Sequence, residues 1–373
     1  MKRTVFAIIA VLLSAASAKV WYVHPDSTLH SIQAAVESCD TSDTVLVGPG
    51  TYQENIDWPD SVPGIRLVSE LGRDSTIIDG GGSHVITMIG PKAMNLDSLA
   101  PVVTGFTVRN GGTGIDVFWF APPVIKDNLI TGNDVGIGVL MNSATITGNT
   151  IKENGTGISG NDFFGGTIVR NVISSNAGTG IALSFAPKFL PDTRPDPMTI
   201  DSCTISNNNA YGIWCSQLMP GDVEVHHCDI WGNTGYGIYN HAYSVNAQDN
   251  WWGDSTGPFH PDSNPGGLGD TVSDGVVFRP WLPGPVGLAE EAGPRPALGS
   301  LRAQPGPSLV RGVISLPPRS AAVMLDIGGR RVMTLASGVN DVSHLTPGVY
   351  FIREEPQPAS PKPQTVRKVV VTR

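Results

Sequence analysis

Charge and aromatic residues are both sparse in this 373-residue chain: Asp, Glu, Lys and Arg make up 15% of it and Phe, Trp and Tyr 7%. Basic residues are the scarcer sign, 24 against 33 acidic, for a formal charge of -9. A phosphate backbone requires a basic face, so nucleic acid is excluded as a ligand class. Long apolar runs are also missing. The stretch from Val5 to Leu13 falls short of the ~20 residues that a membrane span needs, and no longer one follows. Flanked by Met1-Lys2-Arg3 and the small residues Ala16-Ser17-Ala18, it reads as a signal peptide over residues 1–18, with no transmembrane segment left after cleavage. The mature chain then works outside the cytoplasm. Cysteine is scarce at four residues; in an exported chain these allow disulfides, but their positions matter more than their number, and Cys39 and Cys215 read as lone buried cysteines.

Glycine and proline are abundant instead, 44 and 30 residues, as a turn-rich chain requires. The turns recur within a repeated phrase: Asn128-Leu-Ile-Thr-Gly-Asn133, Asn149-Thr-Ile-Lys-Glu-Asn154, Asn171-Val-Ile-Ser-Ser-Asn176, Cys203-Thr-Ile-Ser-Asn-Asn208 and Cys228-Asp-Ile-Trp-Gly-Asn233. Each is followed three or four residues later by Gly-Ile. Its first position advances by 21, 22, 32, 25 and 22 residues, ending at Asn250. A short repeat of alternating apolar residues and Gly/Asn turns can bury its face only against its neighbours, which predicts a β-solenoid.

Three apolar columns are predicted to point inward: Ile125, Ile146, Ile168, Ile200 and Val225; Ile130, Ile151, Ile173, Ile205 and Ile230; and the isoleucines of Gly-Ile. Three columns imply three short strands per coil and a triangular section. The Asn128, Asn149 and Asn171 column is expected to form a hydrogen-bonded ladder at one corner. Cys203 and Cys228 replace it, stacked about 4.8 Å apart, either as a disulfide or as a pair of buried thiols.

Residues 20–52 read as strand, amphipathic helix and strand, with Ile32, Ala35, Val36 and Cys39 on the helix face that lids the first coil. Strands are expected at 65–68, 75–79, 85–89 and 102–108. Trp251, Trp252, Phe259, Phe278 and Trp281 are placed to seal the far end. Residues 283–308, rich in Pro, Gly and Ala, read as a linker, and residues 309–373 as a small β unit resembling a sandwich.

The repeated phrase, the opening Ser31-Ile-Gln-Ala-Ala-Val36 with Asp43-Thr-Val-Leu-Val-Gly-Pro-Gly-Thr-Tyr-Gln-Glu-Asn55, and the closing Asp249-Asn-Trp-Trp-Gly253 resemble right-handed parallel β-helix proteins of the pectin-lyase-like superfamily over about residues 20–282. The resemblance implies an all-β solenoid with an N-terminal cap over residues 19–282. It leaves activity open, because that superfamily includes polysaccharide lyases, glycosidases, esterases and members with no known reaction. Leu325-Asp-Ile-Gly-Gly-Arg-Arg-Val332, Leu345-Thr-Pro-Gly-Val-Tyr-Phe-Ile-Arg353 and Lys368-Val-Val-Val371 resemble the C-terminal sorting domain of type IX secretion substrates. That implies the outer-membrane secretion machinery as a partner and a Gram-negative-type cell surface or secreted location. The segment from Pro356 to Pro363 departs from the tight hairpin usual there.

Two faces carry candidate chemistry. Asp201, Glu224, His226, His227 and Asp249 are predicted on one outward face. Asp201, Glu224 and His226 are the candidates for acid, base or catalytic ligand, and His226, His227 and Asp249 for a divalent metal such as Ca2+, though the sequence requires no cofactor. Lyase and polygalacturonase patterns are incomplete: the cluster lacks both a multi-carboxylate Ca2+ site beside a base and a trio of neighbouring aspartates. The alternative is a solvated polar face. On another side, Trp214 and Tyr239 are expected to stack on successive coils, with His241 beside them, as a platform for sugar rings. The 32-residue coil adds a loop with Phe185, Lys188, Phe189 and Arg194 as a candidate groove wall. Binding of polysaccharide or another extended surface ligand, cleavage of a glycan, and a non-catalytic scaffold or adhesin are the three readings these residues allow.

Overall fold

The computed structural model describes residues 18–60, 62–90, 99–118, 122–161, 166–184, 198–216, 223–241, 244–287, 308–311, 313–316, 322–325, 331–346, 348–354 and 366–372. All but Ala18 of the expected signal peptide, most of the expected linker and the segment holding Phe185, Lys188, Phe189 and Arg194 lie outside them. The chain divides into two compact units, Met1–Glu291 and Ala292–Arg373.

The first unit is a parallel β-helix. One sheet of eleven strands and two of eight are each ordered so that a strand pairs with its counterparts in the coils before and after. Strands Val124–Lys126, Thr145–Thr147, Thr167–Val169, Met198–Asp201 and Val223–His226 belong to the first sheet. Leu129–Thr131 through Asp229–Trp231 belong to the second, and Thr113–Phe118 through Ile238–His241 to the third. Every isoleucine of the three predicted columns is fully buried, and registers hold them in line: Ile146 with Ile168, Ile151 with Ile173, Ile158 with Ile181. Side chains alternate across a strand, so the intervening residues face outward on three flat sides.

Two corners are tight. Between the first and second sheets one residue with positive φ, such as Asp127 (56°), Arg170 (54°) or His227 (51°), turns the chain and an Asn or Cys follows. The predicted ladder is present: Asn149 Oδ1 accepts from the backbone N of Asn128 at 3.0 Å and its Nδ2 at 3.1 Å, while Asn149 Nδ2 donates to the Ile125 carbonyl at 2.9 Å. A second ladder, Asn133, Asn154, Asn176, Asn208 and Asn233, occupies the corner between the second and third sheets. The glycine of Gly-Ile follows it. A Cβ on Gly136 would stand 2.5 Å from the Gly157 carbonyl oxygen, so only glycine lets successive coils close up there. The third corner, from third sheet to first, takes connections of very different length, from residues 141–144 to residues 185–197.

The disulfide alternative is corrected by the cysteine geometry. All four cysteines are buried free thiols. Cys228 Sγ accepts from the Cys203 backbone N at 3.4 Å, and each thiol points to a backbone carbonyl, Cys203 to Ile168 at 3.3 Å and Cys228 to His226 at 3.2 Å. Stacked side chains run parallel along the column, so each sulfur fills the role of a ladder amide instead of meeting its neighbour.

The cap helix Ile32–Glu37 buries Ile32, Ala35 and Val36. Ser31 is its N-cap, and Glu54 accepts from the backbone N of Ile32 and Gln33 at 3.0 and 2.9 Å, tying cap to first coil. The strand expected over 102–108 is two, Val102–Thr104 and Thr107–Arg109, because Gly105 turns with φ 84°. At the far end Trp252 and Phe278 are buried as expected, whereas Phe259 is exposed. Asp229, itself buried, accepts from the backbone N of Val286 and Gly287 at 2.7 and 3.0 Å and fixes the chain where it leaves the helix.

The second unit has a five-stranded sheet, ordered Ser308–Arg311, Val366–Thr372, Gly348–Glu354, Ala322–Leu325, Arg331–Leu335, and a pair Val313–Leu316 with Gly338–Asp341. Ile314, Ala322, Met324, Leu335, Val342, Tyr350, Ile352 and Val371 form its own core.

Candidate functional site

On the first sheet Asp201 pairs in register with His226, and Glu224 lies two residues before His226 on the same outward face. The contacts differ from the expected grouping. His227, turned outward by its positive φ, places Nδ1 3.0 Å from Asp201 Oδ2, and Ser202 Oγ donates to Asp201 Oδ1. An ionised carboxylate only accepts, so His227 Nδ1 carries the proton. His226 aims Nδ1 at the Gln248 carbonyl oxygen, 3.0 Å away, which fixes its proton likewise. Burial pushes the Asp201 carboxyl up, but the hydrogen bonds from Ser202 and His227 and the charges of both imidazoles hold it below the usual carboxylate range. The group is therefore a structured anion, better suited to accept a hydrogen bond than to deliver a proton.

The expected metal trio is not assembled. Among the described residues no group of three or more His, Cys, Asp or Glu side chains converges as a metal centre. His226 and His227 lie on either side of the corner, their rings 6.3 Å apart and tilted 52°, and His227 is committed to Asp201. Glu224 shares its column with Thr199 and Asn246, away from that pair.

The third sheet presents a different surface. Its outward positions form two columns: Thr87, Asp116, Gly138, Ser159, Ala182, Trp214 and Tyr239; and Ile89, Phe118, Leu140, Asn161, Ser184, Ser216 and His241. Trp214 and Tyr239 are register partners as expected, but the ring stacked on Tyr239 is Tyr211, with centroids 5.2 Å apart and planes at 21°. Tyr236 meets Tyr239 edge-on at 5.1 Å, and His241 lies parallel to it at 6.4 Å. Tyr236, Tyr239 and His241 border a cleft of about 410 Å³ closed by Phe259, His260, Ser273 and Asp274. His260 Nδ1 accepts from the backbone N of Asp262 and Ser263, and Nε2 lies 3.2 Å from Asp274, so this wall is held in place.

Tyr211 and Tyr236 lie outside the strands, at the turn that leads into the third sheet. Each directly precedes the glycine of Gly-Ile, in Tyr211-Gly-Ile213 and Tyr236-Gly-Ile238. The signal was the same aromatic at the same offset in two successive repeats.

Residues 101–251 match the family model of the right handed beta helix region. No curated protein matches the chain. Among solved structures, the A-module of a mannuronan C-5 epimerase from Azotobacter vinelandii is 18% identical, over 59% of this chain and 73% of its own, with a TM-score of 0.38. A pectate lyase is 15% identical over 70% and 74%, with a TM-score of 0.44, and a pectin methylesterase from carrot 13% over 69% and 80%, with a TM-score of 0.38. Likeness at this level carries no argument about chemistry. The three stacked parallel sheets and the matched region together make the first unit a right-handed parallel β-helix.

Proposed function

We propose that the protein is exported to the cell surface or released, and that it binds an extended polysaccharide along the outer face of the third sheet. The observation that carries this reading is the ring cluster of Tyr211, Tyr236, Tyr239 and His241 at the edge of the cleft. Aromatic faces offer flat apolar area to sugar rings, and the phenol and imidazole edges offer hydrogen bonds to hydroxyls. The coil repeat of about 4.8 Å gives the face a regular track along which a polymer can lie. The N-terminal signal-like segment and the C-terminal resemblance to a sorting domain support export through outer-membrane secretion machinery. Among the described residues no helix is long and apolar enough to cross a membrane.

Affinity electrophoresis of the intact chain in gels containing plant, algal and bacterial polysaccharides tests the reading. Retardation by at least one glycan, lost about tenfold in affinity in Tyr239→Ala as for an aromatic anchor, is the expected result. Equal mobility in every gel sinks it.

The second reading is a glycan-cleaving enzyme, favoured by the Asp201, Ser202 and His227 contacts on the first sheet. New reducing ends or unsaturated products that vanish in Asp201→Asn would establish it. Absence of both binding and turnover would leave a surface scaffold.

A further inference from the structure

The three outer faces differ in charge. First-sheet strands carry Arg66 and Lys126 and second-sheet strands Arg109 and Lys152, whereas the eight strands of the third sheet contain neither Lys nor Arg. Their acidic residues are Asp57 and Asp116. Gly138, next above Asp116, has no side chain, and a Cβ there would stand 2.8 Å from Asp116 Oδ1. The carboxyl thus lies in a notch, with His84 Nδ1 3.9 Å from Oδ2 on its far side. Burial pushes this carboxyl up and His84 only partly opposes it, as expected of an acid with no Lys or Arg beside it among the described residues. Beyond the notch, Ser159 and Ala182 keep the floor low until Trp214 and Tyr239 rise from it. From Asp116 to Tyr239 is five coil steps, about 24 Å at the usual strand spacing.

We infer that this face selects a neutral glycan over a polyuronate: among the described residues the track offers carboxyl, hydroxyl and imidazole groups at one end, aromatic rings at the other, and no cation on the strands between. The inference rests on the glycan-binding reading above. A polyuronate brings one carboxylate per sugar. Laid along the track it would shed water from several of them, meet no strand-borne positive charge and approach Asp116. A neutral glycan brings only hydroxyls, which Asp116, His84 and Ser159 can pair, and apolar ring faces for Tyr239.

Retardation of the intact chain is measured at neutral pH in gels of a neutral β-glucan and of polygalacturonate, each with 20 mM and 300 mM NaCl. The expected result is retardation by the glucan that salt barely changes, and little by polygalacturonate at either salt. Ser159→Lys, which puts a cation in mid-track, is expected to create polygalacturonate retardation that the higher salt removes. Asp116→Asn should weaken glucan binding about threefold, the exchange of a charged for a neutral hydrogen-bond acceptor. Stronger retardation of the unaltered protein by polygalacturonate, suppressed by salt and abolished in Tyr239→Ala, would overturn the inference while keeping the binding reading. Retardation by neither polymer, with retardation by another acidic glycan of the wider panel, would likewise overturn the inference and keep the binding reading, whereas equal mobility across the whole panel would remove both.

Discussion

Asp270 accepts from Asn233 twice, from the backbone N at 3.1 Å and from Nδ2 at 2.8 Å, and from the Gly232 backbone N at 2.8 Å. Within the second ladder the next Asn amide oxygen takes the first two bonds and a carbonyl of the next coil takes the third, as Asn154 and Glu153 do for Asn133 and Gly132. One carboxylate therefore replaces both groups where the coils stop. Asp270→Ala leaves three donors without an acceptor and is expected to cost about 3 kcal/mol in urea unfolding, with Asp270→Asn keeping part of that. Equal stability of Asp270→Ala and the unaltered protein would show that water satisfies this end.

The amide ladders should be intolerant of truncation in mid-helix. Asn149→Ala would strand the Asn128 backbone N–H and the Ile125 carbonyl, both buried, and is expected to lower stability by about 3 kcal/mol. Thermal unfolding followed by circular dichroism measures it. A loss under about 1 kcal/mol would mean that the ladder ornaments a fold held by its isoleucines alone.

At Cys203 and Cys228 the ladder already runs on weaker groups. The double change Cys203→Asn with Cys228→Asn restores amides above Asn171 and beneath Asn250, and the expected result is a higher Tm with the same fold. In the unaltered protein a thiol reagent should find no reactive group until unfolding. Burial pushes the Cys215 and Cys39 thiols up to about 12 and Cys228 well above its ordinary value. Cys203, which burial pushes up but hydrogen bonds from Cys228 and Asn171 hold below its ordinary value, is protected by its lack of exposure. Rapid labelling of the native chain would contradict this packing.

The Asp201 and His227 pair sets a sign for acid stability. Its carboxyl is held below the usual range, so its stabilisation is complete above the ordinary carboxylate pKa of about 3.9 and disappears as pH falls through the lower folded value. The side chain is a third exposed, so the contribution is small, at most about 1 kcal/mol. Asp201→Asn should flatten the decline of Tm below about pH 4. An unchanged acid limb would assign that decline to other carboxylates.

Gly136→Ala tests how closely the coils approach. The added Cβ would also lie 3.0 Å from Ile151 Cγ2, and neither contact can move without shifting backbone or core. The expected cost is about 2 kcal/mol or more by chemical denaturation. A neutral effect would mean that this corner breathes.

What was legible in the sequence was whatever obeyed the coil period. Ile130, Ile151 and Ile173 recur at one offset because one backbone geometry repeats, and the same constancy placed Asn128 and Asn149 in a ladder. Corners were harder. At His227 a positive φ swings the side chain off the alternation that governs strands, so its pairing with Asp201 could not be read from register, which pointed to His226. Tyr211 and Tyr236 sit at the opposite turn, where residue spacing gives position but not direction. The two-strand break at Gly105 was hidden because Val102 to Val108 is apolar on both sides of the turn.

The uneven connections between third and first sheets have a consequence for how such a protein changes over time. The corner between the second and third sheets absorbs a single extra residue, three residues separating Asn154 from Gly157 and four separating Asn176 from Gly180, with the ladder unbroken and Ile158 still in register with Ile181. An insertion in the third corner leaves both flanking registers as they were, since each strand is aligned by the coils above and below it. Within the regular coils the large differences in length thus fall on a single edge, next to the aromatic face. A descendant can trade one ligand for another by exchanging segments there, coil by coil, while the ladders and the isoleucine columns remain untouched.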